Sequence, residues 1–219
     1  MIGPPGRRAR LLAAGAGLVG ILGSTAAGCG GAPAAAPAPE PVRQVDPTRG
    51  LTQEQAQRAL LAVTDLPLGF QAQDSAEASA LGCAGIDGIY LADGAAARAA
   101  VSFGHALGPA YVNETITTRP GSAGSALASF GRAARDCAAF TGPDGTAYKV
   151  SALTQRRYGD GSAAVRVSSG LKEARPVELV VVRLGDTIVA VAAAGGGAED
   201  AELSRTVVDR AIAKIDRSR

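Results

Sequence analysis

The sequence has few of the side chains on which enzymes and metal centres depend. Its 219 residues include one histidine, three cysteines, one methionine and no tryptophan. A protein zinc site usually takes four ligands, most of them cysteine or histidine, so a single histidine disfavours a metal centre. That histidine, His105, lies in a glycine- and proline-containing segment, and the chain has no G-x-S-x-G nucleophile motif. We therefore predict a non-catalytic protein without a metal or other cofactor, with His105 as a solvated loop residue.

The chain also lacks an apolar run long enough for a membrane-spanning helix. Such a helix needs about 20 apolar residues, whereas glycines interrupt the apolar segment 11–22. A secretory signal has a basic start followed by an apolar stretch of about 7–15 residues, and Arg7, Arg8 and Arg10 supply the basic start. We predict an export signal, and the pair Arg7-Arg8 leaves both the general secretory and the twin-arginine route open.

A cysteine directly follows this signal. The segment Ala26–Cys29 places it after small residues, as in the lipobox of bacterial lipoproteins. Cleavage before Cys29 and lipidation of its sulfur would make residues 1–28 the signal peptide and hold the mature protein on the outer face of the cytoplasmic membrane. The alternative is an ordinary signal-peptide cleavage site with an incidental cysteine. We predict a lipid anchor on Cys29.

The predicted mature chain has no excess of charge of either sign. The whole sequence carries a formal net charge of +2, but the signal segment holds three arginines and no acidic residue, so the remainder has a net charge of −1. Nucleic-acid binding depends on a positively charged surface, and blocks of like charge are typical of interaction tails. We therefore predict neither a nucleic-acid partner nor a polybasic second membrane anchor.

Apart from Cys29, the chain has two cysteines, Cys83 and Cys137. Outside the cytoplasm, two thiols of one small domain most often form a disulfide, and two cysteines allow only one pairing. The alternatives are two buried free thiols or part of a metal site, which would need more ligands than the chain supplies. We predict a bridge between Cys83 and Cys137.

The predicted mature chain divides into a tether and one folded domain. Residues 29–50 are rich in glycine, alanine and proline, a composition that cannot bury a core and that favours an extended tether. The folded domain is predicted over residues 51–219, a length that suits a single domain. It begins with a capping-box pattern at Thr52 and a helix that continues through Val63.

The first half of the domain contains both helical and extended patterns. Segments 96–103 and 111–118 have the residue types and turn signals of a strand pair. Apolar residues spaced by three and four over Ser122–Phe140 predict one continuous helix with a buried side. Phe103 and Phe130 are the expected aromatic plugs of a core that is built mainly from small aliphatic side chains.

The second half is rich in strand patterns, and its turns predict how the strands pair. Turn signals at Gly159–Gly161 and Gly185-Asp186 indicate two hairpins, and Val177–Val182, apolar on nearly both sides, indicates a central strand. Tight turns imply antiparallel pairing. The predicted fold class is α+β, an antiparallel twisted β-sheet with helices over one face in a two-layer sandwich. The closing helix would bury six apolar residues: Leu203, Val207, Val208, Ala211, Ile212 and Ile215.

Three segments carry a resemblance to a known family: the strand Ala110–Thr115, the segment Arg135–Phe140 after an alanine-rich helix, and the strand pair ending in Val180–Val191. Together they resemble the extracytoplasmic sensor domain of mycobacterial PknH-type serine/threonine kinases, which also occurs on free-standing actinobacterial lipoproteins. The resemblance covers about residues 51–216 and implies an extracytoplasmic domain that binds an unidentified ligand in a cleft of its sheet. That family usually has more cysteines, so one bridge is all that it implies here. Small actinobacterial lipoproteins with a Mog1/PsbP-like sandwich are a second resemblance.

Other polar residues have interpretations that do not depend on the resemblance. Glu114 could line a ligand-binding face of the sheet, but we predict that it faces water, as most glutamates do. The segment Arg156–Tyr158 either contacts an anionic lipid or cell-wall polymer, or protects a sheet edge from pairing. Asp160 and Asp186 fit turn positions, where short acidic side chains are favoured.

Three functions are compatible with these features. The first is a membrane-anchored lipoprotein with an extracytoplasmic, sensor-like domain that binds a small molecule, a lipid or a cell-wall component. The second is a carrier of lipid or another hydrophobic molecule at the cell envelope, which requires an apolar cavity. The third is a structural lipoprotein that binds a partner protein. We predict the first function, and the sequence does not assign its ligand-binding residues.

Overall fold

The computed structural model describes residues 49–74, 79–172, 174–195 and 200–219. The predicted signal peptide, Cys29 and nearly all of the predicted tether lie outside these ranges and stay predictions. By its internal contacts the segment Arg43–Arg219 forms one compact unit, of the kind that can fold by itself. All of the elements described below belong to this segment.

An eight-stranded sheet forms the centre of the described structure. Its strands are β1 Phe70–Gln73, β2 Ala97–His105, β3 Tyr111–Thr118, β4 Ala139–Thr141, β5 Ala147–Ala152, β6 Gly161–Ser169, β7 Val177–Leu184 and β8 Thr187–Ala194. The order across the sheet is β1-β2-β3-β8-β7-β6-β5-β4, and every neighbouring pair is antiparallel. The predicted α+β class with an antiparallel sheet is confirmed.

Helices accompany this sheet on both of its faces. Within the described residues they are α1 Gln53–Ala59, α2 Ala84–Tyr90, α3 Ala123–Gly131, α4 Ala133–Asp136, α5 Asp200–Ser218 and a 3-10 helix, Val63–Asp65. Helices α1 and α5 cover one face, whereas α2, α3 and α4 cover the other. The expectation that helices lie over a single face is therefore wrong.

The two-sided packing follows from the strands at the centre of the sheet. All eight residues of β8 are buried. In β7, Val180 and Val182 belong to the core that includes α1 and α5. Leu179 and Val181 belong to the opposite core, which includes α2 and α3. Successive side chains of a strand point to opposite faces, so strands that are apolar on both sides need cover on both. The central position predicted for β7 is confirmed.

The hairpin between β7 and β8 forms as predicted. Leu184 pairs with Thr187, so Gly185 and Asp186 make a two-residue turn. Gly185 has a φ of +62°, a left-handed conformation that glycine adopts without a steric penalty. The carboxylate of Asp186 accepts a hydrogen bond from the N–H of Gly121 (3.2 Å), which ties this turn to the chain that follows β3. Asp186 is thus a turn residue, as predicted.

The hairpin predicted around Gly159–Gly161 is confirmed, because β5 and β6 pair antiparallel, but its turn is not tight. They are joined by the longer connection 153–160. Asp160 explains why the connection is longer than a tight turn. Its N–H donates to the carbonyl of Arg183 (2.9 Å), and its carboxylate accepts from the N–H of Gly185 (2.6 Å). These bonds attach the end of the connection to the β7–β8 hairpin.

Helix α1 begins as predicted but ends early. The side chain of Thr52 completes a capping box with the third residue of the helix, so that prediction is confirmed. The helix ends at Ala59, and the predicted continuation through Val63 is wrong, because Val63 lies in the 3-10 helix. The N–H of Leu61 donates to the carboxylate of Glu114 (2.7 Å) rather than to a carbonyl of the preceding turn. A long-range hydrogen bond therefore ends the helix.

The single helix predicted over Ser122–Phe140 is wrong in its second part. Helix α3 ends at Gly131, the short α4 follows, and Phe140 is a residue of β4. Cys137 follows α4 and is bonded to Cys83, the residue before α2, with their Cα atoms 5.9 Å apart. A cross-link between residues separated by 54 positions restricts the unfolded chain and stabilises the fold by roughly 4 kcal/mol.

The two ends of the sheet hold different parts of the chain. At one end, which we call the proximal end, the N–H of Leu51 donates to Thr187 Oγ1 (3.1 Å). The hydroxyl of Thr118 donates to the carbonyl of Leu51 (2.7 Å), so the chain joins the domain here directly after the predicted tether. The distal end, at His105 and Ala194, is separated from it by the eight residues of β8, or about 26 Å.

Candidate ligand-binding site

An apolar pocket opens at the distal end of the sheet, which we call the terminal pocket. It has a volume of about 630 Å³ and lies between the connection 66–69, the turn between β2 and β3, and the first turns of α5. Its walls include five apolar residues: Pro67, Phe70, Pro109, Ala110 and Leu203. Its polar side chains are those of His105, Glu202 and Thr206. The lining is therefore mainly apolar, with a few polar groups.

Hydrogen bonding and close packing fix the two loops that form the mouth of this pocket. The N–H of Ala106 donates to the carbonyl of Gly69 (2.9 Å), which joins the β2–β3 turn to the connection before β1. Gly69 has a φ of +97°, and a Cβ at this position would collide with the ring of His105. Glycine is therefore required here both by the backbone conformation and by the close approach of the two loops.

Two leucines lie at the mouth, one on each of these loops. The exposed fractions of Leu68 and Leu107 are 98% and 93%, and both residues line the pocket. Among the described residues, the other exposed large apolar side chains are Val63 and Leu171. The mouth of the terminal pocket thus has an apolar rim in direct contact with water.

His105 is part of the pocket wall, so the prediction of a solvated loop histidine is wrong. It is the last residue of β2 and is half-buried, and its ring meets Phe70 edge-on with the ring centroids 5.4 Å apart. Its Nδ1 accepts a hydrogen bond from the N–H of Leu107 (3.2 Å), so the neutral ring carries its proton on Nε2. The imidazole therefore shapes the β2–β3 turn and one wall of the pocket.

A second, smaller concavity, the sheet-face groove, lies on the opposite face of the sheet. Its volume is about 350 Å³, and its lining includes Tyr111, Tyr148 and Arg175. Tyr148 is stacked on Phe140 with ring centroids 5.3 Å apart, and burial raises the pKa of Tyr111 to about 12. Pro109 lines both concavities, so the β2–β3 turn separates the terminal pocket from the sheet-face groove.

Glu114 of β3 is a buried carboxylate near the centre of the sheet. The prediction that it faces water is wrong, because its side chain is 0% exposed. Its Oε2 accepts from the N–H of Leu61, whereas Oε1 has no hydrogen-bond partner among the described residues. Burial raises the pKa of Glu114 to about 7, although the hydrogen bond from Leu61 and the charge of Lys214 offset part of this effect. The charge of Asp65 adds to the increase.

Lys214 of α5 connects the residues around Glu114. Its ammonium group donates to the carbonyl of Leu60 (2.6 Å) and to Oδ2 of Asp65 (2.7 Å). Burial alone would raise the pKa of Asp65, but hydrogen bonds from Lys214 and from the N–H of Ala62 outweigh it, so this pKa lies below its ordinary value. One polar cluster thus links α5, the 3-10 helix and β3.

Two further ion pairs join elements of the fold outside this polar cluster. Glu178 of β7 is buried and pairs with Arg166 of β6 (2.7 Å). Arg156 pairs with Asp209 of α5 and lies over the ring of Tyr158, 4.8 Å from its centroid. Of the two interpretations of the segment from Arg156 to Tyr158, protection of a sheet edge is excluded, because this segment lies in the β5–β6 connection and the edge strands are β1 and β4. Contact with an anionic lipid or cell-wall polymer stays a prediction.

The sequence predicts a disulfide and a lipidation site but no ligand-binding residue. Cys83 and Cys137 form the disulfide and line neither concavity, and Cys29 lies outside the described residues. The terminal pocket is missed by the sequence analysis. The available signal is the position of Leu68 and Leu107 beside glycine and proline in two turns, where a large apolar side chain has no core to enter.

Over the described ranges, the structure shows neither a metal-binding cluster nor a membrane-spanning helix. No group of three or more histidine, cysteine, aspartate or glutamate side chains is arranged to hold a metal ion in that part of the chain. Among the helices described there, none combines the length and the apolar character that a membrane span requires. Of the concavities at the distal end, the terminal pocket has the larger volume and the more apolar walls of the two described above.

The described chain is an α+β sandwich with ligand-sized concavities at one end of its sheet. No protein-family model matches the sequence, and no curated protein matches it. A solved structure does match in fold: the crystal structure of the extracellular domain of PknH from Mycobacterium tuberculosis, with a TM-score of 0.58 and 14% sequence identity. The match covers 78% of this chain and 98% of that one. The chain thus has a PknH-like fold, and its membership of that family stays a prediction.

The substitution Glu114→Gln should reduce the dependence of stability on pH. Because the pKa rises from 4.5 to about 7 on folding, the folded state binds more protons, and the free energy of unfolding falls as the pH rises through this range. Gln keeps an oxygen for the N–H of Leu61 but carries no charge. At pH 8 we expect the variant to be more stable than wild type by roughly 1–3 kcal/mol, measured by urea unfolding at pH 5 and pH 8.

Glu178→Gln is the matched control for this experiment, because it changes another buried glutamate of the same sheet. Its carboxylate has an ion-pair partner, Arg166, so its replacement should lower the stability at pH 8. The two substitutions are therefore expected to have opposite signs. A Glu114→Gln variant that is less stable than wild type at pH 8 would show that the fold favours the charged form of Glu114.

Proposed function

We propose that the protein is a membrane-anchored lipoprotein whose extracytoplasmic domain binds a ligand and does not catalyse a reaction. The terminal pocket carries this proposal. Its volume of about 630 Å³ falls within the range of about 300–1,000 Å³ that is usual for small-molecule sites, which combine apolar walls with a few polar groups. The hydrogen bond from Ala106 to Gly69 holds both loops of the mouth in place without a ligand.

The polar groups of the terminal pocket favour binding over catalysis. Its ionisable side chains among the described lining residues are His105 and Glu202, and Nδ1 of His105 already accepts a hydrogen bond from Leu107. Covalent catalysis needs a nucleophile within hydrogen-bond reach of a base. The described lining has no serine or cysteine, and its one hydroxyl belongs to Thr206. These groups suit the orientation of a ligand.

The position of the pocket suits a protein that is held at its N-terminus. Leu51 is bound at the proximal end, whereas the terminal pocket opens at the distal end, about 26 Å away. A lipid on Cys29 would hold the protein at the outer face of the cytoplasmic membrane, and because the chain enters the domain at the opposite end, the anchored segment would not cover the mouth of the pocket. The similar solved structure is itself an extracellular domain, which supports the proposed location.

The substitution Cys29→Ala should release the protein from the membrane, because it removes the thiol that would carry the lipid. In fractionated host cells, wild type should require detergent for extraction, and the variant should be found in the soluble fraction or the medium. Globomycin, which blocks lipoprotein signal cleavage, should leave the wild-type precursor uncleaved. Thr25→Ala, which keeps the thiol, is the control and should stay membrane-bound. A Cys29→Ala variant that stays as firmly bound would contradict the lipid anchor.

The substitution Thr206→Trp should fill the terminal pocket. Thr206 is half-buried and lines the pocket, so an indole there would occupy space that the ligand needs. We expect native mass spectrometry of the domain purified from its host envelope to detect a retained ligand in wild type and its loss in this variant. Ala201→Trp adds the same side chain at an exposed position of α5 and should retain the ligand.

The outcomes of this comparison separate the candidate sites. Retention of the same ligand by wild type and both variants would exclude the terminal pocket and point to the sheet-face groove around Tyr111 and Tyr148. A wild-type domain without any ligand would remove the support for ligand binding in the host envelope. Loss confined to Thr206→Trp is the result that the proposal predicts.

A further inference from the structure

The rim of the terminal pocket has the character of a surface that contacts an apolar phase. Leu68 and Leu107 are almost completely exposed, and they lie on two loops that the hydrogen bond from Ala106 to Gly69 joins. Single exposed leucines are ordinary on protein surfaces. Two leucines at the mouth of one apolar pocket extend its apolar lining into the solvent, and extended apolar surfaces mark contacts with other molecules.

The backbone of the β2–β3 turn, which carries Leu107, has its donors satisfied within the protein. Each N–H from His105 to Gly108 donates to an acceptor of the same domain, and Pro109 has no N–H to satisfy. In the hydrocarbon region of a bilayer, no water is available to pair with backbone groups, so a segment that enters it must satisfy them internally. The donors of this turn meet that condition.

We infer that the mouth of the terminal pocket inserts into a lipid bilayer and that the pocket receives an acyl chain of a membrane lipid. This inference rests on the proposed ligand-binding function and names the class of its ligand. Leu68 and Leu107 enter the acyl region of the bilayer, and the acyl chain passes between them to the apolar wall at Phe70 and Leu203.

The bilayer is within reach of the distal end. Arg49 follows Cys29 by 20 positions, a length of chain that can span up to about 66 Å when extended. The sheet is about 26 Å long. A domain that is joined to its tether at the proximal end can therefore turn the mouth of its pocket towards the membrane that would hold the lipid on Cys29.

The proposed contact with the bilayer depends on apolar side chains rather than on charged ones. The ionisable side chains in the described lining of the pocket are His105 and Glu202, so the mouth has no basic cluster of the kind that attracts anionic headgroups. Binding should therefore occur on zwitterionic vesicles and change little with ionic strength. This behaviour distinguishes insertion of the rim from electrostatic adsorption, which salt weakens.

Because the chain has no tryptophan, single indoles can report on the rim. Leu68→Trp and Leu107→Trp, each in the segment Arg43–Arg219, place the probe at positions so exposed that the fold is little disturbed. Val63→Trp, at an exposed site outside the pocket, is the matched control. With zwitterionic phosphatidylcholine vesicles whose acyl chains are brominated, the emission of the two rim probes should shift to the blue and lose intensity. The control should not change.

A titration with a brominated fatty acid, without vesicles and below its solubility limit, tests the pocket separately. We expect the fatty acid to quench the tryptophan fluorescence of the Leu107→Trp protein. Adding Leu68→Asp to this protein should abolish the quenching by vesicles.

Fatty-acid quenching without vesicle quenching would overturn insertion and leave the ligand-binding function standing. Vesicle quenching alone would overturn the acyl-chain site. Equal vesicle quenching of all three probes would indicate non-specific adsorption and overturn the inference, and quenching in neither titration would overturn both the inference and ligand binding at this pocket.

Discussion

The burial of β8 on both of its faces is the constraint from which the rest of the structure follows. All eight of its residues are buried, and their side chains alternate between the two faces of the sheet. Such a strand needs apolar cover on both sides, which α1 and α5 supply on one side and α2 and α3 on the other. Phe103 and Phe130 are large buried side chains of the two cores. The terminal pocket lies where the cover by α5 meets the loops of the distal end.

The polar cluster at Glu114 fixes the elements that build this pocket. Its carboxylate ends α1 by accepting from the N–H of Leu61, and Lys214 joins α5 to Leu60 and to Asp65. Helix α5, which lines the pocket with its first turns, is thereby held at its other end. Burial of a charged group costs desolvation free energy, but its hydrogen bonds can specify one arrangement of the chain. Here the specified arrangement is the early end of α1.

Most helices and strands of the fold are predictable, because their patterns depend on burial within one element. The apolar stripe Leu203–Ile215 and the turn at Gly185-Asp186 are of this kind. The predictions fail where a residue far along the chain determines the local structure. Glu114, for example, accepts a hydrogen bond from the N–H of Leu61, 53 positions earlier, where α1 ends. The edge strands β1 and β4 escape prediction because they are too short for a pattern. The terminal pocket combines loops from separate parts of the chain, so only Leu68 and Leu107, as leucines in turns, hint at it.

Binding of a ligand in the terminal pocket can be tested most directly by a crystal structure of the domain purified from the envelope of its host. We expect electron density for a bound molecule between Leu68, Leu107 and Leu203, extending inwards to the wall at Phe70. The matching region of protein refolded from denaturant should lack that density. Density for a bound molecule in the sheet-face groove, with the terminal pocket empty, would contradict the proposed site.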